Sequence, residues 1–253
     1  MRILYLGNNL LGCHVLEHLK ATGEDVVGLV LHPQERRSYG AEMIEASGLG
    51  EASIFDGSRL RQAETLEAIA DLKPDIGISV LFGYILKEEF LTLLPEGCVN
   101  LHPALLPYNR GSYPNVWSIV DNTPAGVTLH YIDVGIDTGD IIAQREVAVD
   151  LVDTGETLYR KLEKTALELF SETWPLVTAG NITREPQSKE NGTYHRVKDV
   201  REIDLIDLDG EYTARHLINV MRARSFPPYP GAYIEVDGQK VYLRLQLTHE
   251  SDL

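Results

Sequence analysis

Cysteine is scarce in this chain: 253 residues contain two, Cys13 and Cys98. Two are too few for a disulfide scaffold, and neither stands in a Cys-x-x-Cys spacing that would point to zinc or redox chemistry. Both read as small buried hydrophobes. Positive charge is also in short supply, with 23 Lys and Arg against 38 Asp and Glu and a formal net charge of −15. Affinity for nucleic acid rests on Lys and Arg contacts to phosphate, so no nucleic-acid partner is expected, although one local basic pocket remains compatible with the balance. No apolar run approaches the roughly 18 residues that a membrane span needs. The N-terminus enters strand-like residues at Arg2–Leu6 without a signal peptide's long apolar segment, so we expect a cytoplasmic protein with no membrane partner. His14, His18, His32, His130, His195, His216 and His249 show no ligand spacing such as H-E-x-x-H, so no metal site is expected, and each reads as a surface or satisfied core histidine. The stretch Gly7-Asn-Asn-Leu-Leu-Gly12 lacks both the three-glycine dinucleotide fingerprint and the Gly-Lys-Ser/Thr of a P-loop. It reads as a tight strand-to-helix turn. A G-x-S-x-G elbow is missing as well, which argues against an α/β-hydrolase.

What is present is an alternation of apolar runs and helical periodicities. Arg2–Leu6 reads as a strand. Leu10, Leu11, Val15, Leu16 and Leu19 then recur at helical spacing, and a second apolar run spans Val26–Leu31. Such β-α-β units build parallel sheets with right-handed crossovers. Leu60–Leu72 is expected to be helical with Leu66, Ile69 and Ala70 inward, and Asp75–Leu81 to be a buried strand. Cys98–His102, Gly126–Ile132 and Ile141–Val149 read as further strands, the last two joined by the polar loop Asp133–Asp140. Asp153 is expected to cap a long helix, with Glu156 completing a capping box and Leu158, Leu162, Ala166, Leu169 and Phe170 forming the apolar stripe. Glu185–Thr193 is polar and reads as a linker or surface loop. Beyond it, Glu211–Ala223 looks helical, Phe226–Gly231 forms a rigid turn, and Asp237-Gly238 is a strong hairpin signal. We therefore expect a catalytic domain over residues 1–185 and a small helix-plus-hairpin appendage over 186–253.

The stretch that carries chemistry is Cys98–Asp140. Asn100 and His102 lie two apart on a strand, so they face one side of the sheet. They sit at the strand's carboxyl end, where open α/β sheets bind ligands. Two polar groups on a buried strand need partners, because each left unpaired costs about 1–3 kcal/mol. A stiff loop from Pro103 to Arg110-Gly111 follows at once, and then come Gly126-Val-Thr-Leu-His130 and Asp137-Thr-Gly-Asp140.

The ordered set Asn-Leu-His-Pro-x-Leu-Leu-Pro-x-x-Arg-Gly, Gly-Val-Thr-Leu-His and Asp-x-Gly-x-Ile-Ile-x-Gln resembles the folate-dependent formyltransferases over Met1 to about Thr183. That resemblance implies a Rossmann-like, mostly parallel sheet flanked by helices. It implies transfer of a formyl group from N10-formyltetrahydrofolate to a primary amine, without a metal. It also places the catalytic Asn, His and Asp on Asn100, His102 and Asp137, without deciding which of His102 and Asp137 is the formal base. Phe82–Leu86 is similar to the family's pterin-flanking segment, which makes Gly83, Tyr84, Ile85, Leu86, Val134 and Gly135 the candidate co-substrate contacts, mostly through backbone. Past the long helix, Arg222-Ala223 and Pro230–Tyr233 look like segments of sugar-nucleotide N-formyltransferases. The expected acceptor is accordingly a dTDP- or UDP-linked amino deoxysugar, with Arg110 and Arg222 toward a diphosphate and Tyr229 toward a base or sugar ring. The tRNA enzyme resembles the chain through Asn219–Tyr233 but adds a C-terminal barrel for which the chain leaves no room. That reading, a formyl hydrolase and a catalytically idle folate-binding module stand as alternatives. The acidic chain and apolar C-terminal hairpin further lead us to expect a homodimer.

Overall fold

The computed structural model describes residues 1–188 and 192–253; residues 189–191, inside the expected linker, lie outside the described residues. The chain divides into two compact units. The first comprises residues 1–102, 128–144 and 166–187, and the second 103–127, 145–165 and 188–253.

The first unit is built on a sheet. Strands β1 (Arg2–Gly7), β2 (Asp25–Leu31), β3 (Ile54–Asp56), β4 (Ile76–Val80) and β5 (Cys98–His102) alternate with helices α1 (Asn9–Ala21), α2 (Gly40–Ser47), α3 (Ala63–Asp71) and α4 (Glu88–Leu91). Strands β1, β2 and β4 are almost continuous apolar runs, the pattern of strands buried on both faces, whereas the three-residue edge strand β3 is half-buried. Ile3, Leu4, Leu6, Leu29, Val30 and Ile78 are fully buried, each contributing about 1.5–3 kcal/mol of transfer free energy. The seven-stranded sheet has the order β3-β2-β1-β4-β5-β7-β8, where β7 is Ala125–Tyr131 and β8 is Ile141–Val147. The four pairings among β1 to β5 are parallel, and β5 pairs antiparallel with β7. This is the mostly parallel, Rossmann-like sheet that the sequence implied. The α3 helix starts at Ala63 rather than Leu60, and Ala70 is exposed; Thr65 and Ile69 are its buried residues. Helix α6 (Gly155–Thr178) gives this unit its second half, where Ala166, Leu169, Phe170 and Trp174 are buried. Trp174 stacks on Phe170 at 5.5 Å and donates its Nε1–H to Glu24 at 2.9 Å.

The second unit holds the two-residue strand β6 (Arg110–Gly111), α5 (Pro114–Val120), β9 (Tyr194–His195), α7 (Asp199–Glu202), α8 (Ala214–Ala223) and the hairpin β10 (Tyr233–Val236)–β11 (Gln239–Tyr242). Asp237 and Gly238 both adopt positive φ, the backbone of a type I′ turn, as the Asp-Gly signal implied. Asn109 organises the start of the unit. It is fully buried, donates to Ser118 Oγ and Thr123 Oγ1 at 2.9 Å each, and accepts from Thr193 Oγ1 at 3.2 Å. Thr193, at the end of the expected linker, is thus tied down. The cap of α6 is corrected by one residue: the Thr154 and Thr157 hydroxyls exchange bonds with each other's backbone N–H, at 3.2 and 2.9 Å. Asp153 instead accepts the Asp150 amide and the Lys161 ammonium, both at 2.7 Å. Thr and Asp both cap well, so composition could not choose between adjacent positions.

Candidate active site

Asn100, His102 and Asp137 all belong to the first unit, and the structure brings them together. The antiparallel register of β5 and β7 sets Asn100 directly opposite His130, and His102 opposite Thr128. Directly opposed residues have Cβ atoms about 4.5–5.5 Å apart, so Asn100 and His130 must interact. The Asn100 Nδ2 lies 3.2 Å from His130 Nε2 and 3.5 Å from Asp137 Oδ1. Asp137 Oδ2 lies 3.7 Å from His102 Nε2. His102 is 6% exposed, whereas Asn100 and Asp137 are half-buried.

The state of His130 follows from its partners. Its Nδ1 lies 2.7 Å from the Tyr131 carbonyl, an acceptor only, so Nδ1 carries the proton. Burial pushes its pKa down to about 4, against the opposing pull of Asp137, and the ring is neutral at pH 7. Its Nε2 is then a lone pair that accepts from Asn100. The 3.7 Å approach of Asp137 Oδ1 to that nitrogen is therefore not an ion pair. His130 turns the Asn100 amide so that its nitrogen faces His130 and Asp137. The sequence reads His130 as a surface or a satisfied core histidine, and the structure makes it the second. It also packs against the site, with its ring edge-on to His102 at a centroid separation of 6.2 Å. Its place in Gly-Val-Thr-Leu-His was the signal that could have found it.

Asp137 comes from the loop between β7 and β8. The loop is closed by the Tyr131 amide donating to the Asp140 carbonyl at 2.8 Å. It is turned by Asp133 Oδ1, which accepts from the Gly135 amide at 3.0 Å and the Thr138 hydroxyl at 2.6 Å. Asp137 has a φ of 52°, a left-handed conformation that costs a non-glycine residue about 1–2 kcal/mol. At Gly139 a Cβ would meet the Tyr131 carbonyl oxygen at 1.9 Å, so only glycine fits.

The candidate co-substrate segments differ among themselves. Ile85 is 53% exposed and Val134 is 74% exposed, apolar side chains left at the surface beside exposed backbone at Gly83 and Gly135. Tyr84 is half-buried against a core cluster that includes Leu86. The Leu86 side chain is therefore core, and only its backbone could meet a ligand. The Gly135 N–H is already engaged by Asp133.

The three candidate acceptor contacts lie in the second unit. Arg110 is half-buried, and its Nη2 lies 3.4 Å from the Ser188 carbonyl. Tyr229 is 60% exposed and sits edge-on to Phe226. Arg222 departs from the expectation. It is 5% exposed and donates from Nη1 to the carbonyls of Asp150, Leu151 and Asp153 at 2.8, 3.2 and 3.1 Å. Its Nε donates to Asn219 Oδ1 at 3.0 Å. This guanidinium clamps the Asp150–Asp153 turn instead of presenting a fork to phosphate. Among the described residues no cluster of His, Cys, Asp or Glu could hold a metal ion, and no helix is long and apolar enough to cross a membrane.

Comparison with known proteins bears on this geometry. A model described as formyl transferase matches residues 1–174, and one described as the N-formyltransferase dimerization C-terminal domain matches residues 199–249. The chain therefore belongs to the formyl transferase family and is an N-formyltransferase. It is 32% identical to the methionyl-tRNA formyltransferase of Geotalea uraniireducens over 96% of this chain and 78% of that one. Among solved structures, a 4-N formyltransferase from Francisella tularensis superposes with a TM-score of 0.83 at 27% identity, covering 98% of both chains. The formyltransferase PseJ from Anoxybacillus kamchatkensis, in complex with UDP-4,6-dideoxy-4-formamido-L-AltNAc and tetrahydrofolate, is 32% identical with a TM-score of 0.59, over 80% of this chain and 89% of that one.

Proposed function

We propose that this protein transfers a formyl group from N10-formyltetrahydrofolate to the amino group of a dTDP- or UDP-linked amino deoxysugar. The observation that carries the reading is the convergence of Asn100 and His102 on the Asp137 carboxylate, at 3.5 and 3.7 Å. Attack of an amine on a formyl carbon puts negative charge on the formyl oxygen and a surplus proton on the amine. Asn100 supplies the donor for that oxygen. His130 holds one of its N–H bonds, and the other, facing Asp137 at the weak limit of 3.5 Å, is available to a stronger acceptor. His102 takes the proton, since an imidazole suits transfer near neutral pH; collapse of the tetrahedral adduct then breaks the bond between the formyl carbon and N10, and the proton passes on to N10 so that tetrahydrofolate leaves. Asp137, whose carboxylate lies 3.7 Å from His102 Nε2, orients that imidazole. The exposed apolar side chains of Ile85 and Val134 and the backbone beside them suit a flat heteroaromatic ring with a hydrogen-bonding edge.

The acceptor rests on separate support. The C-terminal match and the coverage of 98% of both chains with the Francisella enzyme extend the likeness to N-formyltransferases past the catalytic segment, and the likeness to PseJ, in complex with UDP-4,6-dideoxy-4-formamido-L-AltNAc, supports an amino-sugar nucleotide. Arg110 and the exposed ring of Tyr229 remain the candidate contacts for diphosphate and ring. Methionyl-tRNA is the second reading, favoured by the curated relatives; a net charge of −15 weighs against it. The C-terminal match and the half-exposed Val236, Val241 and Tyr242 on the hairpin support a homodimer, which light scattering would test. An acceptor panel decides the substrate: dTDP- and UDP-amino sugars, glycinamide ribonucleotide and charged initiator tRNA, each read by product mass. A formyl mass gained by an amino-sugar nucleotide supports the proposal. Reaction of tRNA alone replaces it with the second reading.

A further inference from the structure

Asp137 stands in an unfavourable backbone conformation on an exposed loop. Such residues persist only where the surroundings over-determine them. The loop's own contacts run from Asp133 to Gly135 and Thr138 and from the Tyr131 amide to the Asp140 carbonyl, and further support for the turn at Asp137 comes from elsewhere in the chain. That support comes from a segment about 50 residues further on. Glu185 forms an antiparallel bridge with Ile141, exchanging backbone bonds of 2.8 and 2.9 Å. Arg184 lies over the Tyr131 ring at 3.7 Å. Pro186 follows, and then the Gln187 side-chain nitrogen donates to the Asp137 carbonyl at 2.9 Å and to the Gly139 carbonyl at 2.7 Å. One amide nitrogen with two N–H bonds thus spans the turn on which the Asp137 carboxylate is carried.

We propose that Gln187 is a positioning residue for the transfer reaction, holding the Asp137–Gly139 turn so that the Asp137 carboxylate stays facing His102 and Asn100. The inference rests on the reading that Asp137 acts in the reaction. Gln187 reaches Asp137 at its backbone carbonyl rather than at its carboxylate, so it acts on that carboxylate through the backbone. Misplacing a catalytic group by about 1 Å costs on the order of 100-fold in rate.

Gln187→Met keeps the length and removes both donors, and Gln187→Glu keeps the shape and replaces the donors with acceptors. Steady-state kinetics with the full-length enzyme are expected to show kcat lowered about 10- to 100-fold in both variants, with KM for donor and acceptor within about twofold and the melting temperature nearly unchanged. Asp137→Ala supplies the control. If it leaves kcat intact, the site reading itself fails, and this inference with it. If it abolishes most activity, Gln187→Met added to Asp137→Ala should lower kcat no further, because the two act through one group. An unchanged kcat in Gln187→Met overturns the proposal, as does a loss of kcat that tracks a loss of folded protein or that multiplies independently with Asp137→Ala.

Discussion

Burial of His130 gives acid sensitivity a specific address. In an unfolded chain the imidazole takes its proton near pH 6.5, whereas in the fold the same ring resists protonation down to about 4. Between those values the unfolded chain binds more protons than the native one, so native stability falls as pH drops. The stability is intact above about pH 6.5 and is lost progressively toward pH 4. A difference of roughly 2.5 units at 1.36 kcal/mol each amounts to on the order of 3 kcal/mol. Burial and, less strongly, the neighbouring His102 push the pKa down, against Asp137, the Tyr131 carbonyl and Asp133, which pull it up. The assay can be confined to the relevant unit, because the protein has two tryptophans, Trp117 in the second unit and Trp174 in the first. In a Trp117→Phe background, Trp174 fluorescence reports unfolding of the unit that holds His130. Urea midpoints measured from pH 7 to pH 4 should fall steeply with His130 present. With His130→Gln, which has no proton to gain, the fall should be shallower by about that amount. Parallel loss in the two proteins would refute the reasoning, since the acid sensitivity would then belong to other groups.

Three further outcomes follow from the geometry. Asn100→Asp replaces a donor with an acceptor at the oxyanion position, and kcat should fall by roughly 100- to 1,000-fold with native stability largely retained; single-turnover kinetics measure it. Gly139→Ala drives a methyl into the Tyr131 carbonyl and should displace the Asp137 turn, cutting kcat while far-ultraviolet circular dichroism stays native. Arg222→Met leaves the carbonyls of Asp150, Leu151 and Asp153 without their donor and should cost about 2–4 kcal/mol of stability. A phosphate contact would instead raise KM for the nucleotide substrate at unchanged stability, and denaturant unfolding alongside kinetics separates the two.

How much of this was legible in the sequence depends on the range of the interaction. The β-α-β units could be read where a strand is a continuous apolar run bounded by turn residues, as β1, β2 and β4 are; the three-residue β3 offers no such run. Asn100 and His102 could be placed on one face at a strand end because the period of a strand is two. The Asp237-Gly238 hairpin could be read because its two positive φ values demand those residues. What could not be read were the encounters between distant segments. Arg222 finds its carbonyl partners about 70 residues earlier in the chain, so a guanidinium fated for burial looked the same as one free for phosphate. Gln187 meets the Asp137 turn across 50 residues. His130 owes its place to the register of β5 against β7, and a slip of one residue would have turned it to the other face. Leu86, next to the exposed Ile85, differs from it only by alternation against a core that the sequence does not locate. The grouping of residues 103–127 and 145–165 with the C-terminal stretch likewise arises from packing that no local pattern announces.

The most direct test of the central claim is product mass from wild-type and His102→Ala enzyme, given N10-formyltetrahydrofolate and an amino-sugar nucleotide. The account predicts that wild type adds one formyl mass to the sugar amine with matching release of tetrahydrofolate, and that His102→Ala, still folded, forms product at a rate lower by about 100-fold or more. Formyl transfer undiminished in His102→Ala, or a folded wild type that formylates no amino-sugar nucleotide of the panel, would contradict it.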